Sequence, residues 1–127
     1  MKFHEDDRAQ RLLDIFPTSV KQVNVTYVNS TNHIVAWHRH NLQTDFWCCL
    51  KGSFKVGIAT LNGDVEFKYL SDKKFQVLRI NPPNWHGYKA LEPNSILLYG
   101  LTEKWSLEDE YKLLPGCFGE SWETENC

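Results

Sequence analysis

Histidines 38, 40 and 86 are the residues of this chain whose types and spacing could do chemistry together. In the run His38-Arg39-His40-Asn41-Leu42-Gln43-Thr44-Asp45 the two imidazoles stand two positions apart. On an extended strand residues two apart share a face, so both can point into one interior. Asp45 opens the β-rich run that follows, Gly52 comes after six further residues, and His86 belongs to a later run. Three imidazoles and a carboxylate converging in this way form a candidate site for a divalent transition metal, with His38, His40, Asp45 and His86 as its ligands. Left unliganded, the same imidazoles are candidate bases or hydrogen-bonded barrel histidines.

The elements that must position these residues are short and β-rich. Runs at Val23–Val28, Ile34–His38, Phe46–Leu50, Phe54–Leu61, Val65–Leu70, Phe75–Ile80, His86–Ala90 and Ile96–Leu101 are broken by turn residues and show no sustained helical period. Asn62-Gly63 reads as a tight hairpin, because a primed turn needs residues that tolerate positive φ. Eight such strands predict an all-β fold, a cupin-type double-stranded β-helix or jelly-roll barrel. Short helical segments are expected near the ends: residues 7–16 read as a short helix or an arm, and Ser106 reads as the cap of a helix start through Asp109. The whole of 1–127 is expected to be one domain, with an N-terminal arm at 1–22, the barrel at 23–102 and a C-terminal segment at 103–127.

The formal charge of −2 and the scatter of lysines and arginines leave no electrostatic footprint for nucleic acid or an anionic membrane. Neither an apolar leader nor a run of about 20 apolar residues is present, and a cytoplasmic protein is expected. The four cysteines, 48, 49, 117 and 127, form no Cys-x-x-Cys pair and read as reduced thiols, with neighbours Cys48 and Cys49 facing opposite sides of a strand. Trp37, Trp47 and Trp85 read as core, and Lys51, Lys55, Lys73 and Lys74 as a solvated face.

Two resemblances bear on these residues. His38-x-His40 with Asp45 and Gly52 resembles the first signature of metal-binding cupins, with Asp where that family has Glu, and His86 resembles the histidine of the second signature. Over a longer stretch, roughly residues 7–110, the chain resembles the dTDP-4-dehydrorhamnose 3,5-epimerases. Val35-Ala36-Trp37-His38 is similar to that family's Arg-Gly-Leu-His strand, and Pro82-Pro83-Asn84-Trp85-His86-Gly87-Tyr88 to its Pro-x-Gly-Phe-Ala-His-Gly-Phe. Leu98-Tyr99 falls where the family has its catalytic tyrosine, thirteen residues beyond His86. Thr102, Trp105-Ser106 and Glu108-Asp109-Glu110 continue the pattern, and Asp7-Arg8-Ala9 resembles a motif whose arginine contacts the nucleotide. His38-Arg39-His40 and Cys49-Leu50-Lys51-Gly52-Ser53 also resemble the dTDP-sugar 3,4-ketoisomerases.

The resemblance implies a metal-independent, dimeric jelly roll for carbohydrate biosynthesis that epimerises a dTDP-4-keto-6-deoxyhexose without a cofactor. It implies His38 as base and Tyr99 as acid, with Arg8, Arg39, His40, Gln43 and His86 around the substrate. The ketone at carbon 4 acidifies the hydrogens on carbons 3 and 5, and an enolate forms between the two proton transfers. The family's enolate-stabilising lysine falls at Asp45 and its strand arginine at Val35, so His40 or Arg39 would have to substitute. Two other readings stand beside this one: a metal-binding cupin, dioxygenase or isomerase, using a divalent transition metal on His38, His40, Asp45 and His86, and a cupin that binds a small ligand without catalysis.

Overall fold

The computed structural model describes residues 1–123, and Cys127 lies outside the described residues. The strands run β1 (Lys2–Glu5), β2 (Gln10–Leu13), β3 (Gln22–Val28), β4 (Ile34–Arg39), β5 (Asp45–Lys51), β6 (Ser53–Ala59), β7 (Val65–Ser71), β8 (Leu78–Ile80), β9 (Trp85–Ala90), β10 (Ser95–Leu101) and β11 (Tyr111–Lys112). Each of the eight β-rich runs contains a strand, although in 75–80 only Leu78–Ile80 is one; where a run is half buried its alternation has period two, which no helix can satisfy. β3 shows the pattern most plainly, its burial alternating at every residue.

All pairings are antiparallel. A four-stranded sheet has the order β3-β10-β5-β8 and a five-stranded sheet the order β11-β4-β9-β6-β7, while β1 and β2 form a separate hairpin. The two sheets enclose a core of Trp47, Cys49, Phe54, Val56, Leu70, Ile80, Ala90 and Leu97. This is the jelly roll expected from the sequence. No helix among the described residues is long and apolar enough to cross a membrane.

A second apolar cluster, Trp37, Ala59, Trp85 and Trp122, lies on the other face of the five-stranded sheet. In β6 the even residues Phe54 and Val56 face the core, so Lys55, Gly57 and Ala59 face outward, where the C-terminal segment covers them. Trp122 packs on Trp37 and Phe67, each at 5.2 Å between ring centroids. Lys55 is therefore not part of a solvated face: it is buried, and its ammonium donates to the carbonyls of Ser121 and Glu123 at 3.1 and 2.9 Å.

Of the two readings for residues 7–16, the helix does not form, and the helix start at Ser106 is reduced to a single turn. Residues 7–16 contain good helix formers, yet Asp6 accepts from the backbone N–H groups of Arg8 and Ala9 at 2.9 and 3.1 Å and closes a tight turn between β1 and β2. Near the other end only one 3-10 turn forms, Leu107–Asp109, and the Ser106 side chain makes no cap. The Asn62-Gly63 hairpin exists but as a longer loop, Thr60 to Asp64, in which Gly63 takes φ +90° and donates to the Thr60 carbonyl. Cys48, Cys49 and Cys117 are free thiols. Cys49 sits in the core, and burial pushes the Cys48 and Cys49 thiols up to about 11.

Candidate active site

One face of β4 and one face of β9 meet at the site, and a glycine makes that meeting possible. β4 is irregular between Val35 and His38, where its register with β9 shifts. A Cβ on Gly87 would lie 2.5 Å from Ala36 Cβ and 2.9 Å from both Ala36 Cα and the Val35 carbonyl oxygen. Only glycine lets the irregular backbone approach so closely. Beyond it His38 and His86 are register partners, with ring centroids 6.4 Å apart.

From the opposite sheet come Asp45 and Trp47 on β5, Tyr99 on β10 and Asn24 on β3. Tyr99 pairs with Trp47 and with Asn24 across its two neighbouring strands, and Leu101 pairs with Asp45. These side chains, together with His38, His40, Gln43, His86 and Tyr88, line a cavity of about 300 Å3 between the sheets. The Thr26 hydroxyl donates to Tyr99 Oη at 3.3 Å. Thus His38, His40, Gln43, Asp45, His86 and Tyr99 are brought together as the sequence suggested.

Arg8 and Arg39 are not. Arg8 sits on the exposed β1–β2 turn, paired with Asp6 at 2.9 Å. Arg39 lies between two inward histidines, so strand alternation turns it outward. Its guanidinium stacks over Tyr111 at 4.0 Å and Trp85 at 5.2 Å and donates to Asn41 Oδ1 at 2.8 Å. No lysine or arginine is among the described residues lining the cavity.

Glu110 is the residue that sequence reasoning missed. Its Oε1 is 3.2 Å from His38 Nδ1, and its Oε2 accepts from the Trp105 indole N–H at 3.2 Å. β11 aligns on β4 with Lys112 opposite His38, which brings the preceding glutamate to the imidazole. An ionised Glu110 fixes the proton on Nδ1 and leaves Nε2 with its lone pair. Asp109 organises the adjacent loop: its carboxylate accepts from the N–H groups of Asn41 and Leu42 at 2.9 and 3.1 Å, and its carbonyl lies 2.8 Å from His40 Nδ1. The only sequence signal was the acidic run Glu108-Asp109-Glu110.

The electrostatics favour neutral imidazoles at His38 and His86. Burial holds His38 below its ordinary value, opposed by the nearby Glu110 carboxylate, and burial with the neighbouring His40 and His38 drives His86 down to about 3. Burial pushes Asp45 upward, while hydrogen bonds from Gln43 Nε2 at 2.7 Å and the Trp47 indole at 3.0 Å pull the other way.

Two antiparallel sheets closed on a histidine-lined cavity, with a carboxylate-backed imidazole on one wall and a tyrosine on the other, define a cupin. No family model matches the chain. It is 35% identical over 108 residues to a protein of Haloferax volcanii described as a probable low-salt glycan biosynthesis epimerase, Agl13, covering 73% of this chain and 69% of that one. The chain belongs to the same family, the sugar epimerases that resemble dTDP-4-dehydrorhamnose 3,5-epimerase. Solved structures share its fold. The Mycobacterium tuberculosis RmlC epimerase superposes with a TM-score of 0.81 at 19% identity, covering 95% of this chain and 70% of that one. The Streptomyces bikiniensis 3'-monoepimerase ChmJ, solved with dTDP-quinovose, gives 0.82 at 15%, covering 95% and 71%. The Thermoanaerobacterium thermosaccharolyticum 3,4-ketoisomerase QdtA, solved as a variant with TDP-4-keto-6-deoxyglucose, gives 0.73 at 19%, covering 87% and 81%.

Proposed function

We propose that the protein epimerises or isomerises a dTDP-linked 4-keto-6-deoxyhexose, with His38 as base and Tyr99 as acid. The observation that carries this reading is that the two residues come from opposite sheets onto one cavity, His38 backed by Glu110. A ring between the sheets then presents one face to each group. His38 Nε2 takes the proton from the carbon beside the ketone, the C–H electron pair becomes the enolate double bond, and Tyr99 returns a proton from the far side. His40, Gln43 and His86 frame the sugar in this assignment, which gives no role to Arg8 or Arg39. At about 300 Å3 the cavity is at the small end of ligand pockets, sized for the hexose. The nucleotide then lies at its mouth, beside the exposed indole of Trp105.

A homodimer in the cytoplasm completes the reading. It is supported by the β3 edge, where Val23, Val25 and Tyr27 are exposed, and by the apolar side chains Phe3, Leu12 and Leu13 on the free-standing hairpin, which leave strand edges and apolar surface to be covered.

The test is exchange in deuterium oxide with a 4-keto sugar nucleotide. The unaltered enzyme incorporates deuterium at carbon 3 or carbon 5, His38→Asn abolishes this, and Tyr99→Phe keeps some exchange while losing most net epimerisation. Persistent exchange in His38→Asn removes His38 as the base.

A further inference from the structure

The chain crosses from one sheet to the other over the mouth of the cavity. β10 ends at Leu101 in the four-stranded sheet, and β11 begins at Tyr111 on the edge of the five-stranded one. The connection between them is tied down at its start, where the Thr102 N–H donates to the Thr44 carbonyl at 3.1 Å and the Thr44 N–H to the Thr102 hydroxyl oxygen at 2.9 Å. Trp105, in its middle, is held from both sides. Its backbone N–H donates to Gln22 Oε1 on β3 at 3.2 Å, and its indole N–H donates to Glu110 Oε2 at 3.2 Å. The residue nonetheless lines the cavity and is 56% exposed, so its ring is open to whatever occupies the mouth.

Glu110 has one oxygen for each neighbour: Oε1 lies 3.2 Å from His38 Nδ1, and Oε2 takes the indole proton. The torsion that turns a carboxylate about its last C–C bond is broad, so a single contact at Oε1 does not fix its plane. A second donor at Oε2 does. Fixing that plane fixes the direction in which Oε1 accepts, and with it the orientation of the His38 ring. With the indole uncovered, water competes for its N–H. A planar heterocycle laid on the indole excludes that water and closes the bond.

We propose that Trp105 is a positioning residue that acts through Glu110: a nucleotide base covering the indole holds its N–H on the carboxylate, and the carboxylate holds His38 ready to take the proton. The assignment rests on the reaction proposed above. It makes the nucleotide more than a handle. Binding energy gathered at the mouth, away from the reacting carbons, goes into orienting the base and appears in kcat. A platform that only stacks the nucleotide appears in KM alone.

The first arm of the experiment needs no turnover. The His38 Nδ1–H resonance is followed by NMR in the full chain at pH 8, with and without thymidine diphosphate. Trp105→Phe keeps a ring and loses the N–H, and an unchanged urea midpoint confirms that it folds. Thymidine diphosphate moves the His38 resonance downfield in the unaltered protein and leaves it in place in Trp105→Phe. His40, whose Nδ1 is held by the Asp109 carbonyl, is the internal control and is the same in both. No shift in the unaltered protein, or the same shift in both, overturns the proposal. The second arm compares a 4-keto sugar on its nucleotide with the same sugar on a single phosphate. Trp105→Phe lowers kcat for the nucleotide sugar about tenfold and removes most of the kcat difference between the two substrates. In a Glu110→Ala background the same substitution lowers kcat no further. A loss confined to KM, or losses that multiply in the double variant, overturns the proposal. No turnover of any sugar nucleotide by the unaltered protein instead overturns the reaction proposed above, and the His38 resonance alone then decides whether Trp105 acts on the imidazole.

Discussion

Gly87→Ala and Gly57→Ala separate the positioning of the site from the stability of its sheet. The two glycines face each other across β9 and β6, yet an added methyl meets different things. At Gly87 the new carbon lies 2.5 Å from Ala36 Cβ and 2.9 Å from Ala36 Cα and the Val35 carbonyl. Carbon atoms rest about 3.5–4.0 Å apart, so β4 must retreat by about 1 Å. Two of the three opposing atoms are backbone and no rotamer change can absorb the shift. At Gly57 the closest atoms are the indole tips of Trp37 and Trp122, at 2.6 and 2.7 Å, which belong to the outer cluster. Overpacking costs about 1–3 kcal/mol in either case, but a 1 Å displacement two residues from His38 costs about 100-fold in rate. Denaturant unfolding and deuterium exchange, measured on both variants, check this. Gly87→Ala loses both stability and exchange, and Gly57→Ala loses stability with exchange within a few-fold of the unaltered protein. Equal rates in the two variants would show that β4 does not set the position of His38.

Three further outcomes are expected. Glu110→Gln removes the carboxylate that orients His38 and lowers kcat about 100-fold with little change in KM, measured by epimerisation kinetics; a rise confined to KM would make Glu110 a substrate contact. Trp122→Ala empties the outer cluster and lowers stability by about 3 kcal/mol, read from the urea midpoint, and an unchanged midpoint would mean that the C-terminal segment does not rest on the sheet. Thiol labelling of the native protein at pH 8 leaves Cys48 and Cys49 unmodified, because both are buried with thiols pushed up to about 11, well above that pH; rapid loss of all four thiols would contradict their burial.

Much of the site was legible because strand alternation is a local rule. It placed His38 and His40 together, and applied once more it sends Arg39 to the opposite face, so the assignment of Arg39 to the substrate conflicted with the rule that found its neighbours. The His38–Glu110 contact spans 72 positions and depends on a two-residue strand at a sheet edge, which no periodicity announces. The burial of Lys55 likewise depends on where the C-terminal segment lies, and the N-terminal hairpin on an aspartate turn overriding helix propensity. Local pattern reveals which face a residue takes; it is silent on what a distant segment brings to that face.

His38 and Tyr99 stand on different sheets, so no stretch of backbone measures the gap between them. The spacer is the shared core, above all Trp47, Phe54 and Leu97, and packed sheets stand about 10 Å apart only because such side chains fill the interval. The core thus acts as a gauge block, and its residues are as much determinants of ring size as the residues that touch the ring. Leu97 also lines the cavity, so trimming it to valine enlarges the space for the ring without altering any polar group. Selection for a bulkier or slimmer sugar has a route through the apolar interior alone.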